Sequence, residues 1–300
     1  MTGNSTYLKP ETDMERVLQF CRQDRIRYRH IIHEVVECPD WKRAFRAYYG
    51  YRMETPVDYY VDNHEHASIL GAYYDGRLRL EGTFDFNQKD ELAKWCAQIH
   101  PFGVATTNEL MMYMLRGVVG DDGWSLDSHY SVTKESFCDR TTHEVVSLTA
   151  ADHDAYHAFL EHPADVPFLS IQRSDGKLAR DFAFMCAGVP MDCYAVFDGP
   201  DIVGALTVQP MTDANDEISR LFVIREYRGR GIARSLISAA ARTTLARGRQ
   251  AACALQGDFI GPKHTLSSMG FHVCCRFWQK RYWSDVPRSG ARAISSPGRV

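Results

Sequence analysis

The stretch that decides the fold runs from residue 217 to residue 233: Glu217-Ile218-Ser219-Arg220-Leu221-Phe222-Val223-Ile224-Arg225-Glu226-Tyr227-Arg228-Gly229-Arg230-Gly231-Ile232-Ala233. Residues 217–224 alternate in character and are rich in β-branched and aromatic side chains, which predicts a strand. Two glycines then predict a sharp turn. From Gly231 to about Arg247 the apolar positions Ile232, Leu236, Ile237 and Ala240 recur with helical spacing. A strand therefore feeds a tight turn, and the turn opens a helix. The first N–H groups of a helix lack intrahelical partners, and the helix dipole makes that end attractive to anions. Gly229 and Gly231 let the backbone curl closely around a phosphate, and Arg228 and Arg230 add positive charge. In chemical terms the segment is a pyrophosphate cradle.

Two common cradles are excluded by residue identity. A dinucleotide fingerprint, Gly-x-Gly-x-x-Gly, needs glycine at 234, where the chain has Arg234, and no Gly-Lys-Ser/Thr loop occurs. The segment instead resembles the coenzyme A loop of the GNAT superfamily of N-acetyltransferases. That pattern is Arg/Gln-x-x-Gly-x-Gly/Ala, matched here by Arg228, Gly231 and Ala233. The preceding residues 221–227 are similar to the family as well, and Met269-Gly270-Phe271 stands where the family often ends its last helix in Leu-Gly-Phe. The resemblance covers roughly residues 143–283. It implies an α+β (mixed α/β) fold, a twisted mixed sheet flanked by helices, whose fourth and fifth strands splay apart. It also implies acetyl-CoA, or a related acyl-CoA, as acyl donor. By similarity, Leu221, Phe222 and Val223 would line the pantetheine arm. Arg228, Gly229, Arg230, Gly231, Ile232 and Ala233 would hold the pyrophosphate. The expected reaction is direct attack by a primary amine, on a small molecule or peptide, in a ternary complex.

For the base, the resemblance points to Glu217 at the start of the strand. Period-two alternation puts Glu217, Ser219, Leu221 and Val223 on one face. The competing reading is a solvated carboxylate beside Asp213 and Asp216. A carboxylate of ordinary pKa, about 4.3, is poorly matched to an amine near 10 and would work with a raised pKa or through ordered water. For the acid, the family often has tyrosine four residues before the Gly-Phe pair, where this chain has Leu266; His264 is the remaining candidate. The family's asparagine near the last helix is replaced in the region of Asp258-Phe259. These departures keep open a second class of function, a non-catalytic acyl-CoA-binding sensor or scaffold.

Outward from the cradle, the C-terminal part reads as a strand at 144–148, a helix at 150–160 and a hairpin of 193–197 with 202–208. A strand at 251–255, a short helix near 262–269 and a final strand pair over 271–283 complete it. In the N-terminal part, Thr12-Asp13-Met14-Glu15 reads as a capping box before the amphipathic run Met14, Val17, Leu18, Cys21. Strands at 68–72 and 78–84 meet at Asp75-Gly76. A helix at 87–99 capped by Asn87, a strand at 102–106 and a helix at 108–115 follow, and 117–124 leads out of the domain. The repeated strand–Asp-Gly–strand unit predicts two related domains, a diverged one at 1–140 and the acyl-CoA domain at 141–284, before a disordered tail at 285–300. The counterpart of the cradle is placed near His100-Pro101-Phe102-Gly103. It lacks the loop pattern, so the N-terminal domain is expected to wall the acceptor cleft without holding coenzyme A.

Composition narrows the partners. The 300 residues are 45% hydrophobic and 24% charged with a net charge of -3, which gives no general attraction to nucleic acid or an anionic membrane. No apolar run approaches the roughly 20 residues of a membrane span, and the first sixteen residues show no apolar signal core. Nine scattered cysteines without a Cys-x-x-Cys pair predict neither zinc nor a disulfide framework, but thiols in a reducing cytoplasm. His153 and His157 have metal-compatible spacing, but their setting reads as an exposed helix start. His64-Glu65-His66 reads as a polar loop, and Arg16, Arg22, Arg25, Arg27 and Arg29 as a solvated basic face.

Overall fold

The computed structural model describes residues 8–35, 57–62, 67–74, 77–83, 86–99, 101, 103–162, 182–183, 185–257 and 260–281. The Asp75-Gly76 turn, His64-Glu65-His66, His100, Asp258-Phe259 and the tail expected at 285–300 lie outside these residues.

The first half supplies β1 (Lys9–Glu11), α1 (Met14–Cys21), α2 (Arg29–Val35), β2 (Asp58–Val61), β3 (Ile69–Tyr74), β4 (Arg77–Gly82), α3 (Lys89–Ile99), β5 (Gly103–Thr106), α4 (Glu109–Val119) and β6 (Trp124–Val132). The second supplies β7 (Val146–Ser147), α5 (His153–Glu161), β8 (Asp192–Asp198), β9 (Asp201–Thr212), β10 (Asn215–Val223), α6 (Ile232–Ala246), β11 (Gln250–Gln256), α7 (Ile260–Ser268) and β12 (His272–Arg281). The described elements thus run twice through one plan: strand, one or two helices, three strands, helix, strand, helix, strand.

All the described strands join one sheet in the order β1-β2-β3-β4-β5-β12-β6-β11-β10-β9-β8-β7. Each half's first five strands are followed by the last strand of the other half. β12 pairs with β5, β6 pairs with β11, and the two last strands pair antiparallel at the centre. Residues 124–132 therefore form a strand inside the second half, where the sequence reading has the chain leaving the first domain. The alternation of Trp124, Leu126, Tyr130 and Val132 with Ser125, Asp127, His129 and Ser131 is the signal it leaves. The expected strand pair over 271–283 is a single strand, bulged between Val273 and Cys275.

Each half carries a core on both faces of the sheet. In the first, α3 and α4 cover one face with Leu92, Trp95, Met111 and Leu115, while α1 and α2 cover the other with Val17, Phe20, Ile31 and Ile32. In the second, α6 and α7 bury Leu236, Ala240, Leu266 and Met269, and α5 buries Tyr156 and Phe159 on the opposite side. Helix starts correct two readings. Asp13 alone caps α1, its carboxylate accepting the Glu15 N–H at 3.0 Å, in place of a Thr12 capping box. One 3₁₀ turn at Phe86–Gln88 delays α3 to Lys89, so Asn87 is not its cap. Asn108 does cap α4, accepting the N–H groups of Leu110 and Met111.

The basic run is not a solvated face throughout. Arg16, Arg22, Arg25 and Arg27 pair with Glu11, Glu15, Asp213 and Asp24. Arg29 is fully buried. Among the described residues no helix is long and apolar enough to cross a membrane.

Candidate functional site

β10 pairs with parallel β11 only over Asn215–Glu217, opposite Gln250–Ala252. Beyond that point β10 continues along β9 while β11 continues along β6. The two strands open a wedge whose vertex is Glu217 and Ala252. Beside the wedge β10 is bulged, with one extra residue between Ser219 and Phe222 relative to β9, and Arg220 takes φ 54°. A bulge leaves its extra residue out of the ladder and re-aims the side chains that follow.

That re-aiming corrects the expected common face. Asp216 and Ile218 face α6: Asp216 accepts from Thr244 at 3.2 Å and from Arg249 at 2.8 Å. Glu217 faces the other way. After the bulge Leu221 and Val223 turn to the α6 side, and Phe222 packs against Phe159 of α5 with ring centroids 5.8 Å apart. Glu217 therefore does not share a face with Leu221 and Val223.

Past β10, one 3₁₀ turn (Arg225–Tyr227) leads to Arg228 in extended conformation, Gly229 at φ 77° and Gly231 at φ 89° as the residue capping α6. Both glycines occupy backbone space that L side chains rarely adopt. A Cβ on Gly229 would meet nothing within 4 Å, whereas one on Gly231 would lie 3.1 Å from Thr142 Oγ1. Arg228 folds back: its Nε donates to Val223 O at 2.9 Å, and its guanidinium lies 5.5 Å from the Phe222 ring centre. Arg230 lies over Tyr227 at 5.1 Å. The first turn of α6 contains no acidic residue.

Behind this turn runs a support that sequence reasoning missed. Ser235 Oγ accepts the N–H groups of Thr142 at 3.0 Å and His143 at 3.1 Å, and Ser238 Oγ accepts that of Arg140 at 3.0 Å. The segment joining the halves is thereby laid along the first turns of α6.

Glu217 is 16% exposed and meets groups from the first half. Arg29, 0% exposed, donates through Nε to Glu217 Oε2 at 3.0 Å and through Nη1 to Ile26 O at 2.9 Å. Its Nη2 lies 3.1 Å from Nδ1 of His129 on β6. His30 Nε2 is 3.3 Å from the same Glu217 oxygen. Burial, followed by the Arg29 and His30 charges, pushes His129 down to about 2, so its ring stays neutral. On the β12 side Cys274 is pushed down, first by a hydrogen bond from Cys275, while burial raises Cys253 on β11. No residue pattern announces this cluster, because its members come from α2, β6, β10, β11 and β12.

His264, the candidate acid, is exposed on α7, and no hydrogen bond or ion pair among the described residues ties it to Glu217. Leu266 is buried in the core beneath α6. His153 and His157 are exposed, each facing a carboxylate of its own helix, Asp154 and Glu161.

The first half repeats the wedge without the cradle. β4 and β5 pair in parallel over residues 77–79 and 103–105 and then part. The topological counterpart of the 224–231 turn is consequently 83–88, between β4 and α3, and not His100–Gly103, which corresponds to the turn after α6. The helix that follows carries Asp90 and Glu91 in its first turn, charges that repel an anion at that end. Fully buried Glu81 is engaged there by Arg79 Nε at 2.7 Å and by the Thr107 N–H at 3.1 Å. A cavity of about 700 Å³ lies alongside, lined by Arg27, Tyr28, Gly82, Thr107 and Asn108 among others.

Residues 152–258 match the family model of the acetyltransferase (GNAT) family. Over both halves the fold is that of a Drosophila protein, with TM-score 0.56 at 13% identity, covering 92% of this chain and 98% of that one. It is likewise that of a GNAT-family acetyltransferase from Colwellia psychrerythraea, with TM-score 0.56 at 12% identity, covering 92% and 99%. A tandem GNAT protein from the clavulanic acid biosynthesis pathway aligns with TM-score 0.50 at 14% identity, covering 93% and 99%. No curated protein sequence matches the chain.

Proposed function

We propose, from a chain whose residues 152–258 carry a GNAT acetyltransferase domain, that it is an N-acyltransferase moving an acetyl or related acyl group from acyl-CoA to a primary amine. The observation that carries this is the start of α6, opened by two left-handed glycines directly after a bulged strand that leaves its parallel neighbour. Such a helix end offers unpaired N–H groups and positive potential to a pyrophosphate. The residues fit the group: space is open around the Gly229 Cβ position, and no acidic side chain stands in the first turn. Arg228, Gly229, Arg230, Gly231, Ile232 and Ala233 would hold the pyrophosphate, Arg228 by bracing the turn against Val223 and Phe222. The backbone of Leu221, Phe222 and Val223, beside the bulge, would line the arm. Acyl-CoA supplies a thioester carbonyl open to attack by a neutral amine.

On this reading the halves divide near residue 141, and only the second holds the donor. The first contributes to the acceptor side, since α2 lies against β9 and carries Arg29 and His30 to Glu217. The acceptor is a small-molecule or peptide amine. Nine scattered cysteines without a Cys-x-x-Cys pair suit a reducing compartment, and the cytoplasm is the proposed location. The test is release of free thiol from acetyl-CoA in the presence of spermidine, a lysine ester or a short peptide. Release that requires the amine, with an N-acetylated product by mass, is expected. Absence of amine-dependent release with acetyl-CoA and with longer acyl-CoAs would remove the transferase reading.

A further inference from the structure

Glu217 stands at the vertex of the wedge, yet its Oε2 is shared between the Arg29 guanidinium and the His30 imidazole. In that cluster exposure falls in a clear order: His30 34%, Glu217 16%, His129 5%, Arg29 0%. A group that must collect a proton from a substrate and return it to water has to be the one open to solvent. At neutral pH an imidazole is also better matched than a carboxylate to accept a proton and release it again. We propose that His30, supplied by the N-terminal half, is the general base of the transfer, and that Glu217 is the residue that positions it. The proposal rests on the acyl-transfer reading and deepens it.

Glu217 Oε2, 3.3 Å from His30 Nε2, favours the proton on that nitrogen in the neutral ring, and Nδ1 is then the nitrogen assigned to accept the substrate's proton. Nδ1 takes one proton from the substrate ammonium, and the neutral amine attacks the thioester carbonyl. The C–N bond forms, the C–S bond breaks, and the thiolate leaves with the electron pair. The second proton lost by nitrogen ends on the thiol, and the first passes from the imidazolium to water. The Glu217 carboxylate faces the imidazolium, and Arg29, anchored on Ile26 O, keeps that carboxylate in place.

Among the described residues, the charged and titratable groups seen around the ring are Arg29 on its own helix, Glu217 from β10 and His129 from β6, with Cys253 of β11 and Cys274 of β12 next to Arg29. The test follows thiol release from acetyl-CoA with the same three amines across pH, in the full chain and in His30→Gln. The expected result is a fall in kcat of about 100-fold or more at neutral pH, the KM for acetyl-CoA changed less than twofold, and the acidic limb of the profile lost. Cys274→Ser should keep that limb. Nitrogen-15 spectra of histidine-labelled protein give a readout independent of turnover. The His30 ring should be protonated at Nε2, and this preference should weaken in Glu217→Gln. An active wild type whose His30→Gln variant keeps kcat and the limb would overturn the base assignment alone. A ring protonated at Nδ1 would do the same, and serves should the variant fail to fold. A wild type inactive on all three amines with acetyl-CoA and with longer acyl-CoAs would remove the transferase reading and this assignment with it.

Discussion

The fold dictates the charge state of His129. Its ring is buried on β6 with Nδ1 facing the Arg29 guanidinium, and it is held down to about 2. In the unfolded chain a histidine titrates near 6.5, so below that value the unfolded state binds a proton that the folded state refuses. The contribution is fully present above pH 6.5 and is lost as pH falls. Between pH 7.5 and 5.5 this one residue should lower stability by about 1.4 kcal/mol. Urea unfolding at the two pH values measures it, and His129→Gln should remove that share of the slope; an unchanged slope would mean the ring is protonated in the fold. The place of Glu217 ahead of the cradle makes it a candidate in the sequence. Its pairing with Arg29 is not legible there, because Arg29 lies 188 positions away and sits in a run of arginines that the sequence alone presents as solvent-facing. His264 is a candidate in the sequence only by its proximity to a missing tyrosine, and the fold leaves it exposed on α7.

At the scale of elements, the decisive unit is local, and so it could be read in advance. A strand, two glycines and an amphipathic helix lie within about thirty residues, and each signal is short-range. The bulge in β10 was not readable, since one extra residue shows only against the register of β9. Nor was β6, where a strand of serines, an aspartate and a histidine on one face passes for a loop until β11 and β12 are known to flank it. How tightly the cradle helix is seated follows from Gly204 on β9. A Cβ there would lie 2.8 Å from Ile232 Cγ2 and 3.3 Å from Phe222 O. Gly204→Ala should therefore push on the first residue of α6 and cost about 1–3 kcal/mol by denaturant unfolding. A change below about 0.5 kcal/mol, the range of ordinary surface substitutions, would show that the helix is free to shift away from the sheet.

For the whole molecule, duplication was visible in the sequence as a repeated hairpin-and-helix plan, but the exchange of last strands was not. Nothing local tells β6 and β12 which half to join; their partners are settled by pairing across the centre of the sheet. The exchange makes the two halves one sheet, and α2 of the first half reaches the wedge of the second. The duplicated plan also carries two wedges, of which one has a glycine cradle and the other an acidic helix start beside an internally paired Glu81. On the proposed function only the C-terminal wedge takes the acyl donor. Calorimetric titration of the full chain with acetyl-CoA tests it most directly, with Gly231→Glu alongside and the folding of the variant checked by its thermal unfolding. One site per chain is expected, abolished in a folded Gly231→Glu protein. Two sites per chain, or one that survives the substitution, would contradict it.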